Sequence, residues 1–320
     1  MELSSSERIV GGLWGSVVGD ALGVPVEFSD RKERKRDPVT DMRGYGTHHQ
    51  PPGTWSDDSS LILCTVESLL DGFIPYHMGQ LFIRWYQEGH WTPWGKVFDV
   101  GGTTRSAIRR LSTCFEPEQA GDVDEGSNGN GSLMRILPVG LHFATLPPKN
   151  LIDNAHRASS LTHRHPRSQM ACGFYCLMVA ALLKGLTPLD AYAHAAQTAS
   201  TVYWERPFST ERSHFKRLFS SKVHSLRESA IGSDGYVVHT LEAAIWCLLN
   251  SSSFREAVLK AVNLGEDTDT TGCVTGGLAG IYYGFSSIPE EWINGLAQRE
   301  KIQALLDDFV NEIIKKSEGV

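Results

Sequence analysis

Strand-like alternation of apolar and polar residues is hard to find anywhere in this 320-residue sequence, which argues against a sheet-based fold. Cysteine is sparse. Cys64, Cys114, Cys172, Cys176, Cys247 and Cys273 show no paired metal spacing and sit mostly within apolar segments. Cys172 and Cys176 are one helical turn apart, which suits core packing better than ligation. Long basic stretches are missing too. The densest, Arg31-Lys32-Glu33-Arg34-Lys35-Arg36, is interrupted by Glu33 and reads as a solvated loop, and the net charge is -7. A basic face for a polyphosphate backbone is not supported, so no nucleic-acid partner is expected. No uncharged apolar run approaches membrane-spanning length, and no membrane association is expected. Met1 to Arg8 lack the basic region and following apolar run of a signal peptide. A monomer in a reduced, cytoplasmic compartment is the default expectation. No internal repeat and no linker with a composition shift stand out.

What is present is helical periodicity in an ordinary globular composition, 41% hydrophobic and 21% charged. Ser4 or Ser5 can cap a first helix carrying Ile9, Leu13, Val17 and Leu22 near one face. That helix also holds Gly11, Gly12, Gly15, Gly19 and Gly23. Glycine weakens a helix, so this many implies close packing of neighbouring backbones. Residues 30–54 read as a loop. Helices follow from Ser56 or Asp57 to Leu70, over Met78 to Tyr86, and from Gly101-Gly102-Thr103-Thr104 to Leu111. From Asn150 onward the pattern is helical almost throughout, with Ala171 to Leu183 apolar nearly all round and therefore central. Residues 200–234 are polar and irregular, a candidate mobile excursion or lid. The last helix is expected from about Leu296 to Ile314. The fold class predicted is all-α, one compact many-helix domain spanning residues 1–320.

The densest chemistry lies in Asn263-Leu264-Gly265-Glu266-Asp267-Thr268-Asp269-Thr270-Thr271-Gly272. Asp267, Asp269 and the Thr270 hydroxyl are hard oxygen donors, suited to Mg²⁺ or Mn²⁺ and poorly suited to Zn²⁺. Read alone, they equally describe an N-cap with an acidic first turn. Ser56-Asp57-Asp58-Ser59 starts another helix, and two adjacent carboxylates there exceed what a cap requires. Glu27, after Gly19-Asp20-Ala21-Leu22-Gly23, would on composition alone be a loop acid. Gly126-Ser127-Asn128-Gly129-Asn130-Gly131-Ser132 follows no clear strand, so a dinucleotide-binding βαβ unit is disfavoured. The loop can present amide N–H groups to a phosphate or ribose, or serve as a tight connector.

Together these stretches resemble the ADP-ribosylglycohydrolase family nearly end to end. Gly19 to Gly23 with Glu27, Trp55 to Ser59, Gly126 to Arg135, Thr162-His163, and Asn263 to Gly272 follow the family's motif order. The resemblance implies an all-α fold with a dinuclear Mg²⁺ or Mn²⁺ cleft. One cluster would be Ser56, Asp57 and Asp58; the other Asp267, Asp269 and Thr270. It implies hydrolysis of the glycosidic bond between ADP-ribose and an acceptor, ADP-ribosylarginine on a protein foremost. Other linkages, or a silent ADP-ribose-binding member, are the alternatives. A phosphohydrolase using the same acids would release AMP instead. Glu27 or Asp57 would steer or deprotonate the water. Gly126, Ser127, Asn128, Asn130 and Gly131 would face ribose and pyrophosphate, His163 the nucleotide or a phosphate, and Tyr236 the adenosine. Read without the resemblance, His163 is a helix-terminus histidine. Three departures from the family pattern stand out: Ser56 where threonine is frequent, Glu266 where glycine is common, and Asn128 where some members are aromatic.

Overall fold

The computed structural model describes residues 3–113 and 116–318; Met1, Glu2 and Cys114 lie outside them. Among the described residues no strand forms, and backbone bridges are confined to Tyr45–Gln50, Asp122–His163 and Gly129–Tyr236. The first third of the chain builds α1 (Ser5–Gly23), α2 (Arg31–Arg36), α3 (Asp57–Leu70), α4 (Pro75–Glu88) and α5 (Gly102–Leu111). After the glycine-rich loop come α6 (Leu137–His142), α7 (Pro148–Ser160), α8 (Pro166–Leu183), α9 (Pro188–Val202) and the single turn α10 (Lys216–Phe219). The remainder forms α11 (Val237–Leu249), α12 (Phe254–Val262), α13 (Thr268–Tyr283), α14 (Glu290–Asn294) and α15 (Arg299–Glu318). The all-α architecture is as the periodicity predicts.

Helix α1 starts at Ser4, whose hydroxyl accepts a hydrogen bond from the Glu7 N–H at 3.1 Å. It lies antiparallel against α13, and the two backbones touch. A Cβ on Gly11 would fall 2.3 Å from the Gly280 carbonyl oxygen, one on Gly15 2.3 Å from that of Gly276, and one on Gly19 2.1 Å from that of Gly272. The reciprocal positions are as tight: 1.9 Å from Gly280 to the Gly11 oxygen, 2.0 Å from Gly276 to that of Gly15. Real Cβ atoms do not approach so near, so each glycine is required by close approach rather than by conformation. The four-residue spacing places these glycines on one face of each helix. Beyond the last pair, Gly23 packs on the Asp269 backbone, and the Thr268 hydroxyl donates to the Gly23 carbonyl at 2.8 Å.

Around this seam one continuous apolar core forms, with Trp14, Trp55, Trp85, Phe174 and Trp292 fully enclosed. α8 is buried on nearly every face. Cys64, Cys172, Cys176, Cys247 and Cys273 are buried free thiols. By length and mean hydropathy Ser5–Val26 could cross a bilayer, yet its apolar window is 94% buried inside the protein.

Two local expectations are corrected. Arg31 to Arg36 is a helix, because Asp30 accepts from the Glu33 N–H at 2.7 Å while Glu33 accepts from the Asp30 N–H at 3.0 Å. Nor is the run merely solvated: the Arg31 guanidinium donates to the carbonyls of Leu264, Glu228 and Ile231. The last helix begins at Arg299 rather than near Leu296, since Gln298 has φ of 55° and cannot continue a right-handed helix backwards. The irregular stretch over 200–234 buries Phe215, Leu218, Val223 and Ile231, and Arg217 faces the buried Glu242 at 3.3 Å.

Because the seam has no room for a methyl group, Gly276→Ala should cost roughly 3 kcal/mol or more in chemical denaturation. Gly102→Ala, in open space at the start of α5, should change stability by less than about 1 kcal/mol. Equal effects of the two substitutions would contradict the backbone-contact account.

Candidate metal and substrate cleft

The seam sets the end of α1 beside the start of α13, and α3 is attached to the same corner. Asp20, fully buried near the end of α1, accepts from the Ser56 N–H at 2.9 Å and from the Ser59 N–H and hydroxyl at 3.0 and 2.5 Å. Ser56 in turn accepts from the Asp58 N–H at 3.2 Å. These bonds satisfy the otherwise orphaned donors of the first turn of α3. Burial lifts the Asp20 carboxyl to about 6, held there by its serine donors. The capping is thus done by Asp20 and Ser56, which leaves the carboxylates of Asp57 and Asp58 uncommitted.

At the start of α13 the outcome is similar. Asp267 occupies the N-cap position without making a capping bond. Its Oδ2 accepts from the Asn130 side chain at 2.8 Å, and its Oδ1 has no partner. Asp269 accepts from the Thr270 N–H through Oδ1 at 2.9 Å, while its Oδ2 is unpartnered. The Thr270 hydroxyl lies 3.4 Å from Asp58 Oδ1, and Asp58 Oδ2 is again buried without a partner.

Glu27 reaches the same place through a loop clasp. The Phe28 N–H donates to the Glu266 carbonyl and the Glu266 N–H to the Ser29 carbonyl, both at 2.7 Å. Phe28 and Glu266 both take left-handed conformations, φ 64° and 65°. That conformation accounts physically for glycine being at home at position 266. The Glu266 side chain itself is exposed, near Arg31, Lys32 and Lys35 and outside the acidic cleft. Ligand atoms of Glu27, Asp267 and Asp269 come within 4.8 Å of one another.

So many buried carboxyls raise one another's proton affinity. Burial, then the charges of Asp99 and Asp267, push Glu27 to about 10. Asp57, Asp58 and Asp269 are raised well above the usual range, first by burial and then by neighbouring acids. Asp267 is raised by burial, partly offset by its bond from Asn130. Three buried carboxylate oxygens with no hydrogen-bond partner, in an all-oxygen donor set, fit hard divalent cations. A second acidic group, Glu125, His165 and Glu211, is already neutralised by Arg167, 2.7 Å from both glutamates.

The cleft has a volume of about 320 Å³. Of the residues singled out from sequence, Glu27, Asp57, Asp58, Asp267, Thr270, Asn130, Gly131 and His163 form its wall. Asp269 stands beside them in the acidic cluster. Ser56, Gly126, Ser127, Asn128 and Tyr236 are not in the wall. Ser56 acts as a cap, Gly126 is exposed, and the Asn128 amide bonds to the Glu125 carbonyl and the Ser168 hydroxyl. Tyr236 lies under the Arg167 guanidinium, 5.7 Å from its ring centroid, with its hydroxyl toward His214.

Two residues at the cleft have no signal in the sequence: Asp99 in its wall and His48 behind Glu27. Asp99, with φ of 51°, sits opposite Glu27 and raises both Glu27 and Asp57. His48 is hydrogen-bonded to the Glu27 carboxyl and has Phe28 and Phe98 ring centroids 5.9 and 5.3 Å away. Both come from the charged, proline- and glycine-rich connections, where no periodicity marks a residue as inward-facing.

A family model described as ADP-ribosylglycohydrolase matches residues 1–319. The chain belongs to the ADP-ribosylglycohydrolase family. It is 30% identical over 311 residues to the ADP-ribosylarginine hydrolase Tri1 of Serratia proteamaculans (strain 568), covering 96% of this chain and 80% of that one. It is 30% identical over 317 residues to the ADP-ribosyl-[dinitrogen reductase] glycohydrolase of Rhodospirillum rubrum, covering 95% and 97%. A solved structure named ADP-ribosylglycohydrolase-related protein complex superposes with a TM-score of 0.76 at 32% identity, covering 97% of this chain and 99% of that one. By family, then, the protein is a hydrolase of an ADP-ribosyl glycosidic bond, and the acidic cleft is the place in the fold with the chemistry for it.

The raised carboxyls bind more protons in the folded protein than in the unfolded chain. For Glu27 the resulting stabilisation is complete below its ordinary value of 4.5 and is lost as pH rises toward about 10. The melting temperature of metal-free protein should therefore fall between about pH 5.5 and 9. Saturating Mn²⁺ should raise it more at the alkaline end. A flat metal-free profile, or an equal metal effect at both ends, would refute the uncompensated-carboxylate account.

Proposed function

We propose that this chain releases ADP-ribose from ADP-ribosylated arginine on a protein, using two divalent cations, Mg²⁺ or Mn²⁺. The observation that carries the reading is the set of buried, unpartnered oxygens on Asp58, Asp267 and Asp269, gathered at a cleft that the glycine loop also lines. Asp57 and Asp58 would hold one cation, with the Ser56 hydroxyl capping the helix behind them, and Asp267, Asp269 and Thr270 the other. Arginine as acceptor is supported by the name of the Serratia relative, and a protein as its carrier by that of the Rhodospirillum relative, both 30% identical.

When bound, the cations offset the carboxylate charge and make a coordinated water more acidic. The chain's own groups then divide the remaining work. Glu27 and Asp57 are placed to orient the water and take its proton. As the bond to the acceptor nitrogen lengthens, positive charge grows on the ribose ring, and the surrounding carboxylates stabilise it. Asn130 donates both amide hydrogens internally, to Asp267 at 2.8 Å and to Thr240 at 2.9 Å. It therefore holds Asp267 in place and offers the substrate only its carbonyl oxygen.

Incubation with an ADP-ribosylated arginine protein and Mn²⁺ should yield free ADP-ribose. Asp57→Asn and Asp269→Asn should each lower kcat/KM by at least about 100-fold. Full turnover by either variant would remove the two-cluster assignment. AMP as product would indicate a pyrophosphatase instead, and faster release from serine-linked substrate would change the acceptor.

A further inference from the structure

Arg135 is a fully buried guanidinium that makes no ion pair among the described residues. Its Nη2 donates to the Ala158 carbonyl at 3.1 Å and to the Thr162 hydroxyl at 2.7 Å. Its Nε and Nη1 have no partner, and its plane lies 4.7 Å from the Phe82 ring centroid. Burial lowers its pKa only to about 10, so it stays charged at neutral pH. A buried cation without an anion is costly, and nothing in the chemistry above employs it.

Its one short contact leads to the cleft. Thr162 Oγ1 also lies 2.9 Å from His163 Nδ1. A guanidinium has only donors, so the threonine oxygen accepts from Arg135 and its own proton is free to go to Nδ1. The opposite tautomer would aim two donors at one hydroxyl and strand the hydroxyl proton in a dry site. Burial and the Arg135 charge keep the His163 ring neutral, near 3. With Nδ1 accepting, the single ring proton sits on Nε2. The Cε1–Nε2 edge of the ring abuts the loop: a Cβ on Gly131 would fall 2.9 Å from Cε1, and one on Gly129 3.7 Å from Nε2. Ser159 clamps the backbone, accepting from the His163 N–H and donating to its carbonyl, both at 2.8 Å.

We propose that Arg135 and Thr162 are positioning residues that lock His163 as the Nε2–H tautomer, making it a fixed hydrogen-bond donor to an oxygen of the bound ADP-ribosyl group. The ligand half rests on the proposed function; the tautomer half does not. In this arrangement His163 is neither acid nor base during the reaction. The buried charge is explained as the group that decides which way the threonine hydroxyl points.

Long-range ¹H–¹⁵N correlation on histidine-labelled full-length protein reads the tautomer directly, and calorimetry with ADP-ribose reads the ligand. The wild type and Thr162→Ser should both show the Nε2–H form. Thr162→Val, with its melting temperature recorded to confirm folding, should show mixed tautomers. Its Kd for ADP-ribose should rise about tenfold, the loss of one oriented hydrogen bond, with kcat within about twofold of wild type. An Nδ1–H wild type overturns the relay, as does a Thr162→Val protein with unchanged tautomer and Kd. A wild type that holds the Nε2–H form but binds no ADP-ribose supports the relay and overturns the ligand assignment.

Discussion

Backbone contact between α1 and α13 is the constraint on which the rest of the molecule depends. Three glycine pairs let two helices from opposite ends of the sequence approach until carbonyl oxygens occupy the space of side chains. No larger residue could stand there, and no looser packing would keep the helix ends in register. Because the helices are antiparallel, the exit of α1 and the entry of α13 fall at one corner. Asp20 then fastens the start of α3 to that corner through the serine backbone and hydroxyl. The acidic cluster is a consequence of helix packing before it is a feature of any loop.

That geometry works against stability in the absence of cations. Carboxyls from Asp57, Asp58, Asp267 and Asp269 share one corner of the fold, and several of their oxygens are buried and meet no donor. A fold selected only for stability would replace them with apolar groups or pair them with arginine. The protein does the latter elsewhere, where Arg167 lies between Glu125 and Glu211. The contrast between these two acidic groups is informative: one is closed by a side chain of the protein, the other keeps buried oxygens with no partner.

Much of this was legible in the sequence, and the reasons are local. The helix pattern, the serine caps and the run of small residues in α1 all act over a few positions, so periodicity exposes them. The acid motifs were visible because two carboxylates at one helix start exceed what capping needs. Asp99 and His48 were not, because what brings them inward is a left-handed residue and a loop contact made across 21 positions. Arg31 to Arg36 misled in the other direction: its capping box is short-range and readable, but the density of charge drew attention away from Asp30 and Glu33. Tyr236 and Asn128 occupy positions close to the cleft in sequence terms, yet their polar groups turn to His214, Glu125 and Ser168. Proximity in the chain says nothing about which way a side chain faces.

The seam also bears on how the molecule comes into being. α1 is synthesised well before α13, with an apolar surface whose partner is still some 250 residues from being made. No other helix offers the same row of glycines, so α1 cannot settle early and exchange neighbours later. Folding of this enzyme therefore depends on contacts between distant parts of the chain, a high-contact-order arrangement that slows folding. Until then the longest hydrophobic helix of the protein is left for chaperones to shield. The acids at the start of α13 take their place beside the end of α1 only when Gly272, Gly276 and Gly280 close on α1.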